Sequence, residues 1–146
     1  MKKSVLVVLA AIFVFMSCSD DDQNAPNPLI GTWEFSLEGT LMDGEEMMEG
    51  YEHAMGCSKD MLLFLPNGVY QKKSFQNENA DCEMILESGS WALSENQLVL
   101  IHGDVVELVN AEILTLSNTT LKFKFSVSDD DEDIEFIYVY QLNKMN

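Results

Sequence analysis

An alternation with period two, repeated along the chain and punctuated by turn residues, constrains this sequence most. In residues 121–127 the apolar positions Leu121, Phe123, Phe125 and Val127 fall on one side. In residues 134–142 the same is true of Ile134, Phe136, Tyr138, Tyr140 and Leu142. Successive side chains of an extended strand point to opposite faces, so such stripes call for strands with one buried and one wet face. Residues 29–37, 60–65, 69–76, 83–93, 97–102 and 105–116 read as further strands, the last with a break expected near Asn110. Asn67-Gly68 between two apolar runs is a strong hairpin signal, and Ser94-Glu95-Asn96 marks another turn. Eight strands with short turns and no long helix predict an all-β fold. The expectation is an eight-stranded antiparallel up-and-down β-barrel, with a strongly bent sandwich as the alternative.

Residues 38–59 interrupt this pattern. They form either a long loop or, over 45–55, a short helix after the first strand. Such a helix would place Met47, Met48, Tyr51 and Met55 on one face and turn Glu45, Glu49 and Glu52 largely away. Gly50 weakens the helix. A loop of this length in a compact domain is usually functional or disordered.

Charge excludes two classes of partner. The chain has 146 residues, with 25 acidic side chains against 8 lysines and no arginine, for a net charge of −17. Phosphate recognition needs a basic patch, so nucleic acid is not an expected partner. Electrostatic docking on an anionic membrane is disfavoured for the same reason. At 47% hydrophobic the chain has material for a core and is not a disordered acidic tail.

The N-terminus reads as an address. Lys2 and Lys3 precede 12 apolar residues, 5–16. That run is too short to span a bilayer, which takes about 20 residues, and it suits a signal peptide. Phe15-Met16-Ser17-Cys18 resembles a bacterial lipobox. The resemblance implies a signal peptide at 1–17 and lipidation of Cys18 by diacylglycerol and a further acyl chain such as palmitate. Each buried methylene contributes about 0.8 kcal/mol, so several chains anchor stably. Ser19-Asp20-Asp21-Asp22 resembles the surface-export signal of Bacteroidota lipoproteins, with a solvated linker as the alternative. The expected location is therefore the bacterial outer membrane, lipid-anchored and surface-exposed. Residues 18–28, ending in Pro26-Asn27-Pro28, read as a tether, and 29–146 as the folded domain. Cleavage leaves 6 lysines against 25 acids, a net of −19.

Cys57 and Cys82 remain. An even pair in an exported protein favours a disulfide, with two free thiols as the competitor. It would close a 26-residue loop and stabilise by about 3–3.5 kcal/mol in chain-entropy terms. No cysteine or histidine spacing suits zinc, and no cofactor is implied.

Gly31-Thr32-Trp33 resembles the G-x-W signature of lipocalins. The order Gly-Thr-Trp, Cys57, Leu63-Phe64-Leu65-Pro66-Asn67-Gly68-Val69-Tyr70, Cys82, Gly89-Ser90-Trp91 and Leu98-Val99-Leu100 resembles small bacterial lipocalin-like lipoproteins over residues 29–143. The resemblance implies that Trp33 packs across the closed end of the barrel. An arginine usually lies over that tryptophan. This chain has none, and Lys144 could substitute in a cation–π contact of about 0.5–1 kcal/mol.

The resemblance also implies a small apolar ligand in the barrel interior. The residues expected to line it are Tyr70, Phe123, Phe125, Phe136 and Tyr138, lidded by Met47, Met48, Tyr51 and Met55. An eight-stranded barrel either fills with its own side chains or holds one small ligand, and both readings are open. The alternative function is a cavity-free surface module that binds another envelope protein through the acidic run Asp129-Asp130-Asp131-Glu132-Asp133 and the long loop. An enzyme is not expected. His53 reads as an exposed loop residue, His102 as a turn residue, and no nucleophile, metal or phosphate motif occurs.

Overall fold

Asp43 and Gly44 both adopt positive φ, 52° and 83°. Two such residues in succession make the two-residue turn whose twist matches that of the flanking strands. The turn joins β1 (Gly31–Met42) to β2 (Glu45–Gly50), which pair in register from Leu37↔Gly50 to Met42↔Glu45. The short helix expected over 45–55 is thus a strand followed by an irregular segment. Methionines at helical spacing carry no weight against an Asp-Gly turn that presents the next six residues to a strand edge.

The computed structural model describes residues 27–78, 81–103, 107–129 and 134–146. The expected signal peptide, Cys18, most of the tether and Asp130 to Asp133 lie outside the described residues. The remaining strands are β3 (Met61–Phe64), β4 (Val69–Glu78), β5 (Asp81–Ser94), β6 (Gln97–His102), β7 (Glu107–Leu116), β8 (Thr120–Asp129) and β9 (Ile134–Lys144). Each pairs antiparallel with the next from β3 to β9, and β9 returns to pair with β1 from Trp33↔Lys144 to Leu41↔Ile137. One edge of β1 is shared: its first part pairs with β3 and its second with β2. The result is a closed eight-stranded up-and-down barrel with β2 as an added strand.

β2 folds across the outside. A side chain at Gly39 would point at its backbone, with a Cβ only 1.9 Å from the Met47 carbonyl oxygen. Only glycine permits that approach. Val139 pairs with Gly39 on the outward parity of β9, yet it is fully buried. Glu46 of β2 reaches over β9 to form an ion pair with Lys122 of β8.

One end of the barrel is closed by a fully buried set: Leu29, Trp33, Phe64, Leu98, Leu121 and Leu142. The Trp33 indole N–H donates to the Leu29 carbonyl at 2.7 Å. Lys144 places its ammonium 4.9 Å from the Trp33 ring centroid and donates to the Pro28 carbonyl at 2.8 Å. Burial then falls towards the other end along each stripe. Leu121, Phe123, Phe125 and Val127 pair in register with Leu142, Tyr140, Tyr138 and Phe136. The first pair is fully buried, whereas Val127 and Phe136 at the last are 46% and 45% exposed.

Two bulges set which residues face inward. The β1–β9 register shifts at Ser36, whose hydroxyl donates to the Gln141 carbonyl at 2.9 Å. Phe35 therefore faces in, Leu37 faces out, and Glu38 faces in again opposite Tyr140. In β7 the irregularity falls between Ile113 and Thr115 rather than at Asn110, which pairs regularly with Val99. A bulge places one residue beyond the alternation, and no turn signal announces it.

Candidate functional site

Residues 51–60 hold one side of the barrel mouth together. After β2 the chain turns inward, and the Tyr51 amide donates to the Ser36 carbonyl at 3.1 Å. The Tyr51 ring stacks on Phe35 with centroids 4.8 Å apart. Its hydroxyl donates to Asp60 Oδ2 at 2.8 Å, and Asp60 Oδ1 accepts the Phe75 amide of β4 at 2.9 Å. Asp60 is the one buried charged side chain among the described residues. Burial of a carboxylate is tolerated only when its lone pairs are occupied, as here. His53 accepts the Asp60 amide at Nδ1 (3.0 Å), so Nε2 carries the hydrogen and donates to the Phe35 carbonyl at 3.0 Å. His53 is therefore a half-buried brace rather than an exposed loop residue. Asn77 Nδ2 donates to the Met55 carbonyl at 2.7 Å. Cys57 and Cys82 form a disulfide that ties the segment to β5.

The barrel holds a partly open cavity of about 320 Å³, lined by residues beyond the closed Trp33 end. One wall is aromatic: Phe35, Tyr51, Phe123, Phe125 and Tyr140. Phe125 and Tyr140 lie nearly parallel, 10° apart with centroids at 6.0 Å. The facing wall is mixed. Tyr70 and Lys72 of β4, Glu87 of β5 and His102 of β6 bring polar groups, while Leu62, Leu100 and Val109 fill between them. Lys72 and Glu87, paired across β4 and β5, form an ion pair at 3.0 Å with both side chains about two-fifths exposed. The Tyr70 hydroxyl lies 3.4 Å from His102 Nδ1.

Two phenols of the aromatic wall are perturbed by their surroundings. Burial pushes the Tyr51 phenol far above its ordinary value of 10.0, aided by its bond to Asp60 and by the charges of Asp60 and Glu38. Burial likewise raises Tyr140, with Glu38 adding to it. Both phenols stay protonated at neutral pH, and that of Tyr51 donates to Asp60.

Of the residues expected to line a pocket, Tyr70, Phe123, Phe125 and Tyr51 meet in the cavity wall. Tyr138 stands behind, stacked on Phe125 at 5.8 Å. Phe136 has the inward parity but lies at the exposed rim. Met47 and Met55 do not cover the mouth: they are 53% and 87% exposed, and Met48 lies in the outer strand. Without the expected helix, the four residues have no common face, and only Tyr51 turns in. Sequence reasoning missed Phe35, Lys72, Glu87, Leu100, His102 and Tyr140 as a group. The period-two pattern of β4, β5 and β6 would have placed Lys72, Glu87 and His102 inward beside Tyr70, had charged residues not been assigned to solvent by default. Among the described residues no group of three or more metal-ligating side chains converges.

Fold and site together define a small closed β-barrel with an internal, partly open cavity. A model of the lipocalin-like domain matches residues 29–123, most of the chain, and the chain belongs to that family. A lipocalin-like protein from Bacteroides uniformis aligns with a TM-score of 0.56 at 11% identity, covering 82% of this chain and 100% of the other. An uncharacterized protein from Bacteroides eggerthii aligns with a TM-score of 0.52 at 9% identity, covering 80% and 99%. At these identities the likeness is one of fold. No curated protein matches the sequence significantly.

Proposed function

We propose that this chain is a lipid-anchored exported protein that binds a small, largely apolar molecule inside its barrel. The cavity carries the reading. Its volume of about 320 Å³ lies at the lower end of the range for small-molecule sites, about 300–1,000 Å³. Since about 150 Å³ holds a benzene, it suits a body of about two rings or a short alkyl chain. Five aromatic rings supply contact area and the mixed wall supplies orientation, which is the usual division of labour in such sites. Membership of the lipocalin-like family agrees with binding rather than catalysis. Anchoring rests on the lipobox-like Phe15-Met16-Ser17-Cys18, and the tether would hold the barrel off an outer-membrane surface.

Titration with a neutral arylamine dye that brightens in apolar surroundings tests the binding reading. Saturable one-to-one binding, weakened by Phe125→Ala and competed by short fatty alcohols, is expected. Absence of saturable binding by the folded protein, to the dye and to a panel of apolar competitors alike, defeats it. Metabolic labelling with palmitate tests the anchor separately: label incorporated by the wild type and lost in Cys18→Ala is expected, and an unlabelled wild type defeats it.

A further inference from the structure

The sign of the charge around the cavity narrows the ligand class. Of the six lysines among the described residues, Lys59, Lys72, Lys122 and Lys124 are held by carboxylates within ion-pair distance, Lys144 is spent on Trp33 and Pro28, and Lys73 stands on the parity of β4 opposite to Tyr70 and Lys72, outside the cavity lining. The strand ends at the open side carry Asp43, Glu45, Glu78, Asp81, Glu83 and Glu135, and no described lysine stands among them. A molecule approaching the cavity therefore crosses an acidic rim, on a chain of net charge −17. Such a field concentrates cations and repels anions.

Inside, the one lysine lining the cavity among the described residues is Lys72, already paired with Glu87 at 3.0 Å. That pair is dipolar and nearly neutral. Glu38, opposite Tyr140 in register, accepts the Glu52 amide at 3.3 Å at the exposed mouth, and buried Asp60 lies just beyond Tyr51, so the charges bordering the aromatic wall are negative. The aromatic rings complete the environment, because their faces attract cations, most strongly when water is excluded. A carboxylate in the same place would face the acidic rim, Glu87 and the ring faces, with only the shared Lys72 in its favour.

We infer that the cavity takes an amphipathic organic cation, a protonated amine carried on an apolar body of one or two rings. The inference rests on the binding reading above and specifies its ligand. The apolar body would lie against Phe125, Tyr140 and Phe123. The ammonium would sit by the mixed wall, donating to Glu87 and lying over the ring of Tyr70.

Calorimetric titration of the purified protein with three matched probes tests it: 2-(1-naphthyl)ethylamine, 2-(1-naphthyl)ethanol and 1-naphthaleneacetate. At low salt the amine should bind about tenfold or more tighter than the acid, with the alcohol between them. The gap should narrow at high salt, because screening acts on the rim. Lys72→Gln frees Glu87 and should widen the gap, whereas Glu87→Gln frees Lys72 and should narrow or reverse it. If the alcohol binds and the acid equals or exceeds the amine, the cation inference is overturned while the binding reading stands. If none of the three binds the folded protein, both fall.

Discussion

Asp60→Ala should be among the most damaging single changes outside the closed end of the barrel. The Asp60 carboxylate is 6% exposed and accepts two hydrogen bonds, from the Tyr51 hydroxyl at 2.8 Å and the Phe75 amide at 2.9 Å. Bonds to a charged group contribute about 1.5–3 kcal/mol each. Removing the buried carboxylate returns part of its desolvation cost, so the lower end applies and the expected loss is about 3 kcal/mol. Tyr51→Phe keeps the ring on Phe35 and removes one bond, with an expected loss of about 1–1.5 kcal/mol. The double variant should lose little more than Asp60→Ala alone, because the hydroxyl has no partner once the carboxylate is gone. The cycle should therefore return a coupling of about 1 kcal/mol. Urea unfolding followed by tryptophan fluorescence, with the disulfide intact and the slope unchanged across variants, gives the four free energies. Strict additivity, or an Asp60→Ala loss below about 1 kcal/mol, would refute the view that this carboxylate clamps residues 51–60 to β4.

Three further outcomes follow from the same geometry. Tyr51 and Tyr140 have folded-state pKa values above the ordinary 10.0, so the folded state keeps protons that the unfolded chain gives up. Their contribution is complete below pH 10 and is lost as pH rises beyond it. Phenolate absorbance should show Tyr51 and Tyr140 ionising above the ordinary phenol range, and Tyr51→Phe with Tyr140→Phe should flatten the alkaline loss of stability. Gly39→Ala should cost about 2 kcal/mol or more, because its Cβ meets the Met47 carbonyl at 1.9 Å. Increased hydrogen exchange confined to β2 and the facing part of β9 would locate that cost. Replacing Cys57 and Cys82 by serine should cost about 3 kcal/mol and raise exchange in residues 51–60, with β7 and β8 unchanged.

The barrel was legible wherever alternation ran unbroken. Residues 121–127 and 134–142 announced both their strands and their inward faces, and the structure pairs those faces residue by residue. Asn67-Gly68 announced its hairpin because a positive φ at Gly68 is a local requirement. Legibility failed at three kinds of place. Bulges at Ser36 and Leu114 shift parity without a composition signal. The Asp43-Gly44 turn signal competes with a helical spacing of methionines in the residues that follow. Lys72, Glu87 and His102 face a cavity although their chemistry suits solvent, since whether a barrel interior is wet depends on the closure of all eight strands at once.

Tyr51 shows why the site and the stability of the barrel are one problem. Its ring forms part of the cavity wall, while its hydroxyl is bound to a buried carboxylate that also holds β4. His53 braces the same carboxyl residue through its backbone, and the disulfide fixes the segment at its far end. An aromatic wall held in this way is ordered before any ligand arrives, so binding does not bear the entropy of fixing it. The opposite wall is different in kind. Lys72 and Glu87 are half-solvated and bound chiefly to each other, so each can exchange part of its pairing for a ligand group at little cost. On the binding reading proposed above, a rigid apolar face opposite an adaptable ionic one would select strongly for the shape of the ligand body. It would leave the choice of head group to the balance of charge around the mouth, on a chain whose net charge is −17.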